Sequence, residues 1–243
     1  METELAFALS LADDADAIAL SRFRASDLRV ETKPDLTPVS EADRAIEERL
    51  RERIAAERPG ERVVGEELGS DEGDGERWIL DPIDATKNYV RGIPIWATLV
   101  ALEDRVAVVS APALGRRWWS TAGGGSYCNG ERIRVSSVSR IEAAVVTTTS
   151  LRSGRERMRG LVDRAWSARG YGDFWQYMLV AEGSVDVAFD PGANLWDLAA
   201  PKLIVEEAGG RLTDLEGVPR ADGGNAVASN GLLHEEALAA LAK

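Results

Sequence analysis

The chain has 243 residues, 44% of them hydrophobic, and carries 29 basic against 41 acidic side chains, a formal charge of −12. That length suits one large domain or two intimate halves with a sizeable core. The acidic balance argues against a nucleic-acid groove, which needs clustered Lys and Arg, but it allows a carboxylate-rich cation site. The single cysteine, Cys128, excludes an internal disulfide and a Cys-rich metal site, and it suits a reducing, cytoplasmic home. The lone histidine, His234, argues against a Ser-His-Asp triad and a His-rich zinc site, and it is expected on the surface of a C-terminal helix. The opening "METELAFALSLADDADAIAL" has no basic flank and is broken by aspartates, so it does not read as a signal peptide. No run approaches transmembrane length, and no membrane partner is expected.

In chain order, residues 3–25 are predicted as an amphipathic helix, with Leu5, Leu9, Ala12, Ala19 and Phe23 near helical spacing. "KPDLTPVSEADRAIEERLRERI" reads as an extended piece and a second helix, with Ser40 as N-cap and Asp43 completing a capping box. "RVVGEE" and "RWILDP" are predicted strands whose carboxyl ends deliver acids to one edge. The helical signal after Asp84 is short. From about 95 to 135, β-rich runs separated by turn residues predict an antiparallel meander. The second half alternates: "AAVVTTT" strand, "GRERMRGLVDRAW" helix, "DFWQYMLVAEGS" helix, "VDVAFD" strand, "NLWDLAAPKLIVEEAGG" helix, then short strands and a closing helix. Gly209-Gly210 ends the long helix as a C-cap would. The change of pattern near 140 separates two packed halves. Residues 1–140 form an α+β half with an antiparallel sheet and most of the acids of interest, and 141–243 an α/β half that completes the site.

Acids gather at Asp43, Glu66-Glu67, Asp81 with Asp84, and Asp197. Asp81 ends an apolar run, Pro82 stiffens the bend, and Asp84 falls where a helix could start and be capped by it. Two carboxylates at i and i+3 around a turn can converge, and unpaired they repel; a divalent cation resolves this. Oxygen-only ligands suit Mg²⁺ or Mn²⁺. The helix start at "ATKN" attracts an anion, so the pattern points to metal-assisted phosphoryl chemistry. An N-capped turn with ordinary surface aspartates is the other reading of the spacing.

Four stretches then resemble one family. "DPIDATKNY" is similar to the DPIDGTxNF signature of the inositol monophosphatase family of metal-dependent, lithium-sensitive phosphatases. "VVGEE" resembles its Gly-Glu-Glu element, "LWDLAAPKLIVEEAGG" its WDxAAxxxIxxEAGG signature, and "DLTPVSEADRAIE" its early Thr-x-Ala-Asp region, all in family order. The resemblance implies a layered α-β-α-β-α sandwich of the inositol monophosphatase and fructose-1,6-bisphosphatase type. It also implies two to three Mg²⁺ per site, a small phosphate monoester as substrate, and a homodimer. Glu66, Asp81 and the Ile83 carbonyl would hold one ion. Asp81, Asp84 and Asp197 would hold a second, and Glu66 would help with a looser third. Asp43 and Thr86 would orient or deprotonate the attacking water, with no covalent phosphoenzyme, and the N–H groups of Ala85 and Thr86 would hold the phosphate. Ala85 stands where the family has glycine, so its φ angle matters: a positive value would strain the loop.

Within the family, "NYVRGIPIWATLVAL" and "YGDFWQYMLVAEGSVDVAFDPGANLWDLAA" resemble the actinobacterial histidinol-phosphate phosphatases. This implies hydrolysis of L-histidinol phosphate in histidine synthesis, with an inositol or other polyol phosphate as the alternative substrate and a non-catalytic relative as the third reading. Asp190 aligns with the family's substrate-contacting acid and could pair with an ammonium group, or it simply ends a strand before Pro191. Trp96, Trp175 and Asn194 are candidates for the pocket wall, with core packing expected for both tryptophans.

Overall fold

The computed structural model describes residues 2–34, 36–149 and 155–242. Asp35 of the early motif, Gly154 at the expected start of the fourth helix, and Lys243 lie outside the described residues. Helix α1 (Glu2–Arg22) stops short of residue 25 because Arg24 is left-handed at φ 63°. Its buried stripe is Phe7, Ala8, Leu11, Ala12, Ala15 and Ala19, while Leu5 and Leu9 are only half-buried. The alanines let α1 lie close against α2 (Glu41–Glu57) and the sheet beneath. Between the two helices, the expected extended piece is a hairpin of β1 (Val30–Thr32) and β2 (Pro38–Ser40).

The first large sheet begins with β3 (Arg62–Gly65), β4 (Gly69–Ser70) and β5 (Arg77–Asp84), followed by the short helix α3 (Thr86–Val90). It continues through β6 (Ala97–Leu102), β7 (Val106–Ala111), β8 (Arg116–Thr121), β9 (Gly125–Cys128) and β10 (Glu131–Ile133). The spatial order is β10-β9-β8-β7-β6-β5-β3-β4. The predicted meander is therefore present, and the parallel pair in this sheet is β3 with β5. That pairing sends the carboxyl ends of both strands, and the acids after them, to one edge.

The second half supplies β11 (Val145–Thr148), α4 (Arg155–Val162), β12 (Ser167–Arg169), α5 (Asp173–Ala181) and β13 (Val187–Asp190). It ends with α6 (Leu195–Glu207), β14 (Arg211–Thr213), β15 (Ala226–Ser229) and α7 (His234–Leu241), and its sheet has the order β12-β11-β13-β15-β14. Helix α4 ends earlier than its predicted span, and the edge strand β12, which has no clear apolar alternation, was not expected. Gly209 and Gly210 do cap α6: their N–H groups return to the Glu206 and Val205 carbonyls at 2.9 Å each, the Schellman pattern.

Three clusters of buried side chains define the layers. On one face of the eight-stranded sheet, Trp78, Leu80, Val100 and Val108 pack against α1 and α2. On the other, Ile79, Leu99, Ala101 and Val109 meet α5 and α6, whose far sides rest on Ala188, Leu212 and Ala228 of the five-stranded sheet. The outer face of that sheet, through Val146, Val187 and Val227, packs on Met158 and Leu161 of α4 and on Ala237 and Leu241 of α7. Alternate residues of β5 and β6 thus feed different layers, and the stack reads α-β-α-β-α.

His234 departs from expectation: it is fully buried. Its Nε2 lies 2.9 Å from Thr213 Oγ1 and its Nδ1 2.9 Å from Ser229 Oγ, so it ties the start of α7 to β14 and β15. Helix periodicity did not reveal this, because the hydroxyls that satisfy the ring come from distant strands. Burial, and then the charge of Arg211, push its pKa down to about 4. A depressed imidazole leaves the unfolded chain binding more protons, so its penalty grows as pH falls from 6.5 to about 4. In denaturant titrations, the stability advantage of the wild type over His234→Gln should shrink through this window, by on the order of 2 kcal/mol. A pH-independent gap would contradict the neutral buried ring.

Candidate active site

Asp81 and Asp84 both lie within β5, where residues three apart should point to opposite faces. They do not, because the ladder slips: Asp81 pairs with Leu99 and Asp84 with Ala97, so three steps on β5 match two on β6. The extra residue is a β-bulge over Pro82 and Ile83. Pro82 has no N–H to lose from the ladder, and its carbonyl accepts the Thr98 hydroxyl at 2.7 Å. The convergence foreseen around a turn is thus achieved inside a strand. Asp84 does not cap α3; the cap position is Ala85, without a side-chain bond, and Asp84 Oδ2 instead accepts the Phe174 N–H at the start of α5.

Capping boxes aim two further carboxylates. Asp43, fully buried at the third position of α2, accepts the Ser40 N–H at 2.9 Å and the Ser40 hydroxyl at 2.6 Å through Oδ2. Its other oxygen, Oδ1, lies 3.3 Å from the Thr86 hydroxyl, which is also 2.9 Å from the Ile83 carbonyl. The hydroxyl's single proton serves one of the two at a time. Asp197, third in α6, accepts the Asn194 N–H at 2.6 Å through Oδ2.

Asp81, Asp84 and Asp197 each present an oxygen within 4.8 Å of the others. Asp81 Oδ1 is buried, with no hydrogen-bond partner among the described residues. Burial first, and then the charge of Glu66 on Asp81 and of Asp173 on Asp84, hold both carboxyls well above the usual carboxylate range. Burial also lifts Asp197 to about 7 and Asp43 to about 6. Two buried carboxylates and a half-buried third, converging on an orphaned oxygen, fit a hard divalent cation.

Glu66 follows β3 and lines the same cleft, together with Thr37, Ile83, Ala85, Thr86, Lys87, Asp173 and Asn194. Its carboxylate accepts the Lys33 ammonium at 2.8 Å, and Lys33 also reaches Glu67 at 2.6 Å. Asp190 is not among the lining residues. It is 5% exposed and accepts the Thr149 hydroxyl at 2.8 Å, the Gly192 N–H at 3.1 Å and the Tyr177 hydroxyl at 3.3 Å. In front of it stands Asp173, at φ 53°, whose own N–H donates to Thr149 Oγ1 at 3.2 Å. The sequence reading missed Lys33, Lys87 and Asp173; the Gly172-Asp173 pair before an apolar helix was the available hint. Trp96 is buried in the core against Phe23 and Tyr89, and Trp175, half-buried, packs on Trp118 at the margin of the core. Asn194 does reach the cleft.

Ala85 has φ 65° and ψ 43°, the left-handed region. An L-residue there costs about 1–2 kcal/mol and glycine's extra unfolded freedom returns about 0.5–1 of it. Ala85→Gly should therefore raise stability by about 0.5–1 kcal/mol in chemical denaturation; a lower midpoint would deny the strain. The raised carboxylates give a second expectation. Their stability contribution is intact below about 3.8 and is lost as pH rises toward about 7. The metal-free Tm, compared with Asp197→Asn, should fall through that window, and saturating MgCl₂ should abolish the difference in slope. Indifference to chelator and Mg²⁺ would count against a cation site.

A model of the inositol monophosphatase family matches residues 1–243. The chain is 53% identical to a histidinol-phosphatase of Mycobacterium tuberculosis over 98% of its own length and 97% of that protein's. It is 49% identical to a histidinol-phosphatase of Streptomyces coelicolor, over 97% and 95%. Among solved structures, it superposes on the Thermotoga maritima IMPase with a TM-score of 0.91 and 32% identity, covering 100% of this chain and 97% of that one. With the layered sandwich, the carboxylate cluster and these likenesses in agreement, the chain belongs to the inositol monophosphatase family.

Proposed function

We propose that the chain is a Mg²⁺-dependent phosphomonoesterase that converts L-histidinol phosphate to L-histidinol and phosphate. The observation that carries the chemistry is the convergence of Asp81, Asp84 and Asp197 around the unpartnered Asp81 oxygen. The substrate rests on the likeness, at 53% and 49% identity over nearly full length, to two histidinol-phosphatases. Glu66, Asp81 and the Ile83 carbonyl are assigned one ion, Asp81, Asp84 and Asp197 a second, and Glu66 a share in a third, with Mn²⁺ an alternative of the same ligand preference. Bound divalent ions would neutralise the phosphate oxygens and acidify water.

Asp43 and Thr86 place the attacking water: the hydroxyl orients it, and Asp43, at about 6, accepts its proton. The water oxygen forms a bond to phosphorus as the ester P–O bond breaks, and the released alkoxide takes up a proton from solvent. The Ala85 and Thr86 N–H groups, at a helix start lacking intrahelical partners, hold the phosphate. The site draws on both halves, 1–140 and 141–243, since Asp197 comes from the second.

Histidinol differs from a polyol in its ammonium group, which calls for a carboxylate in the cleft. Asp173 fills that role in this reading, with Asp190 supporting it through Thr149. The reading includes a cytoplasmic homodimer; Trp166, 73% exposed, lines a cleft with Tyr171 and Trp175 beside the edge strand β12, an apolar patch that such an interface would cover. Among the described residues no helix is long and apolar enough to cross a membrane.

Side-by-side turnover of histidinol phosphate and inositol 1-phosphate tests the assignment. The histidinol ester should be preferred, and Asp173→Asn should raise its KM about tenfold while sparing the neutral polyol ester. Equal or better turnover of inositol 1-phosphate by the wild type would defeat the proposed substrate.

A further inference from the structure

Glu66 sits on the tight turn between β3 and β4, whose β3 arm is held by the buried Val63 and by its ladder to β5, with the Glu66 N–H bonded to the Leu80 carbonyl at 3.3 Å, while the β4 arm is loose. β4 is two exposed residues at the sheet edge, and Leu68 is 45% exposed. Among the described residues no apolar side chain of residues 66–68 is buried to anchor the turn that aims Glu66 at the cleft. What fixes it is polar: Lys33 holds the Glu66 and Glu67 carboxylates from the β1–β2 hairpin, and α2 holds the main chain of the turn.

Glu47, fully buried one helical turn after Asp43, accepts the N–H of Glu67 at 2.8 Å through one oxygen and the N–H of Leu68 at 3.1 Å through the other. Arg51, one turn further on, donates to Glu47 at 2.9 Å, to Asp71 at 2.8 Å and to the Gly69 carbonyl. A second observation is independent of these bonds. A Cβ built on Gly65, immediately before Glu66, would lie 1.9 Å from Glu47 Oε1. The carboxylate thus rests directly on the Gly65 backbone, which explains the glycine of "VVGEE" by close approach rather than by dihedral freedom. A buried carboxylate is costly unless fully bonded, and here both oxygens are committed to one short turn.

We propose that Glu47 is a positioning residue: with Arg51 and Gly65, it sets the distance of Glu66 from Asp43 by tying both to α2. Asp43 and Glu47 share one helix face at i and i+4, so the helix acts as a ruler between two functional carboxylates. This inference rests on the reading of Glu66 as a cation ligand. Glu47 touches neither substrate nor ion; it acts through the main chain of Glu67 and Leu68.

The test is Mg²⁺ binding to the full chain by calorimetry, alongside the Mg²⁺ concentration needed for half-maximal turnover of histidinol phosphate. Outer-shell partners commonly carry 10–100-fold in metal affinity. Glu47→Gln, which keeps one acceptor oxygen but sets an amide NH₂ against the other N–H, should weaken Mg²⁺ binding about tenfold while kcat at saturating Mg²⁺ stays within about threefold. Gly65→Ala, which leaves every charge in place, should reproduce the shift, and the double variant should add nothing further. Ile54→Val, a mild core truncation in the same helix, should lower Tm without moving Mg²⁺ affinity. Glu66→Ala is the reference. If it weakens Mg²⁺ binding and neither Glu47→Gln nor Gly65→Ala does, the positioning role is overturned while the ligand reading stands. If Glu66→Ala leaves Mg²⁺ binding unchanged, Glu66 is no ligand and the inference falls with it. An Ile54→Val shift equal to that of Glu47→Gln would reduce the effect to general stability.

Discussion

Two carboxylates three residues apart on a buried strand can share a face only if the strand carries an extra residue. The bulge at Pro82-Ile83 supplies it, and the rest of the site is arranged around the consequence. Asp81 and Asp84 are brought together, both buried, at the wall of a cleft, and the half-buried Asp197 is added to them. The three repel, and their affinity for protons rises. A folded protein tolerates such a cluster only where surrounding structure forces it, so the cluster marks where the fold has given up stability for chemistry.

The forcing comes from ordinary helix chemistry. Asp43 and Asp197 each occupy the third position of a helix, and each spends one oxygen on the N–H of its cap residue. Capping leaves the second oxygen free and fixes its direction. Asp84 is steadied in the same spirit by the Phe174 N–H at the start of α5. The cleft is thus bounded by the beginnings of α2, α3, α5 and α6, whose N–H groups and dipoles offset part of the negative charge. The α-β-α-β-α stack makes this possible, because it carries these helix starts to the edge where β3 and β5 end.

Much of the arrangement was legible in the sequence. The capping box at Ser40 and Asp43, the C-cap at Gly209-Gly210 and the edge formed by "RVVGEE" and "RWILDP" all depend on neighbours within a few residues, and such patterns survive in one dimension. The family signatures extended that reading to Asp197, more than a hundred residues from Asp81. Less legible were His234, satisfied by hydroxyls from two strands, and β12, a three-residue edge strand without alternation. The buried stripe of α1 was legible in part: Ala12 and Ala19 lie in it, whereas Leu5, Leu9 and Phe23 are only partly buried and Phe7, Ala8, Leu11 and Ala15 complete it.

Residue identity, order and local spacing by themselves determined the acid inventory and the helix starts that aim it, and the resemblance of four motifs to one family supplied the layered fold. Tertiary structure alone decided which acids meet. It turned Asp84 inward through a bulge, set Asp190 behind Thr149 and Tyr177 while bringing Asp173 into the cleft, and held Ala85 in a left-handed conformation. The reason is that periodicity encodes which way a side chain points from its own element. The partner waiting there, and the backbone angle imposed by it, are properties of elements distant in the chain.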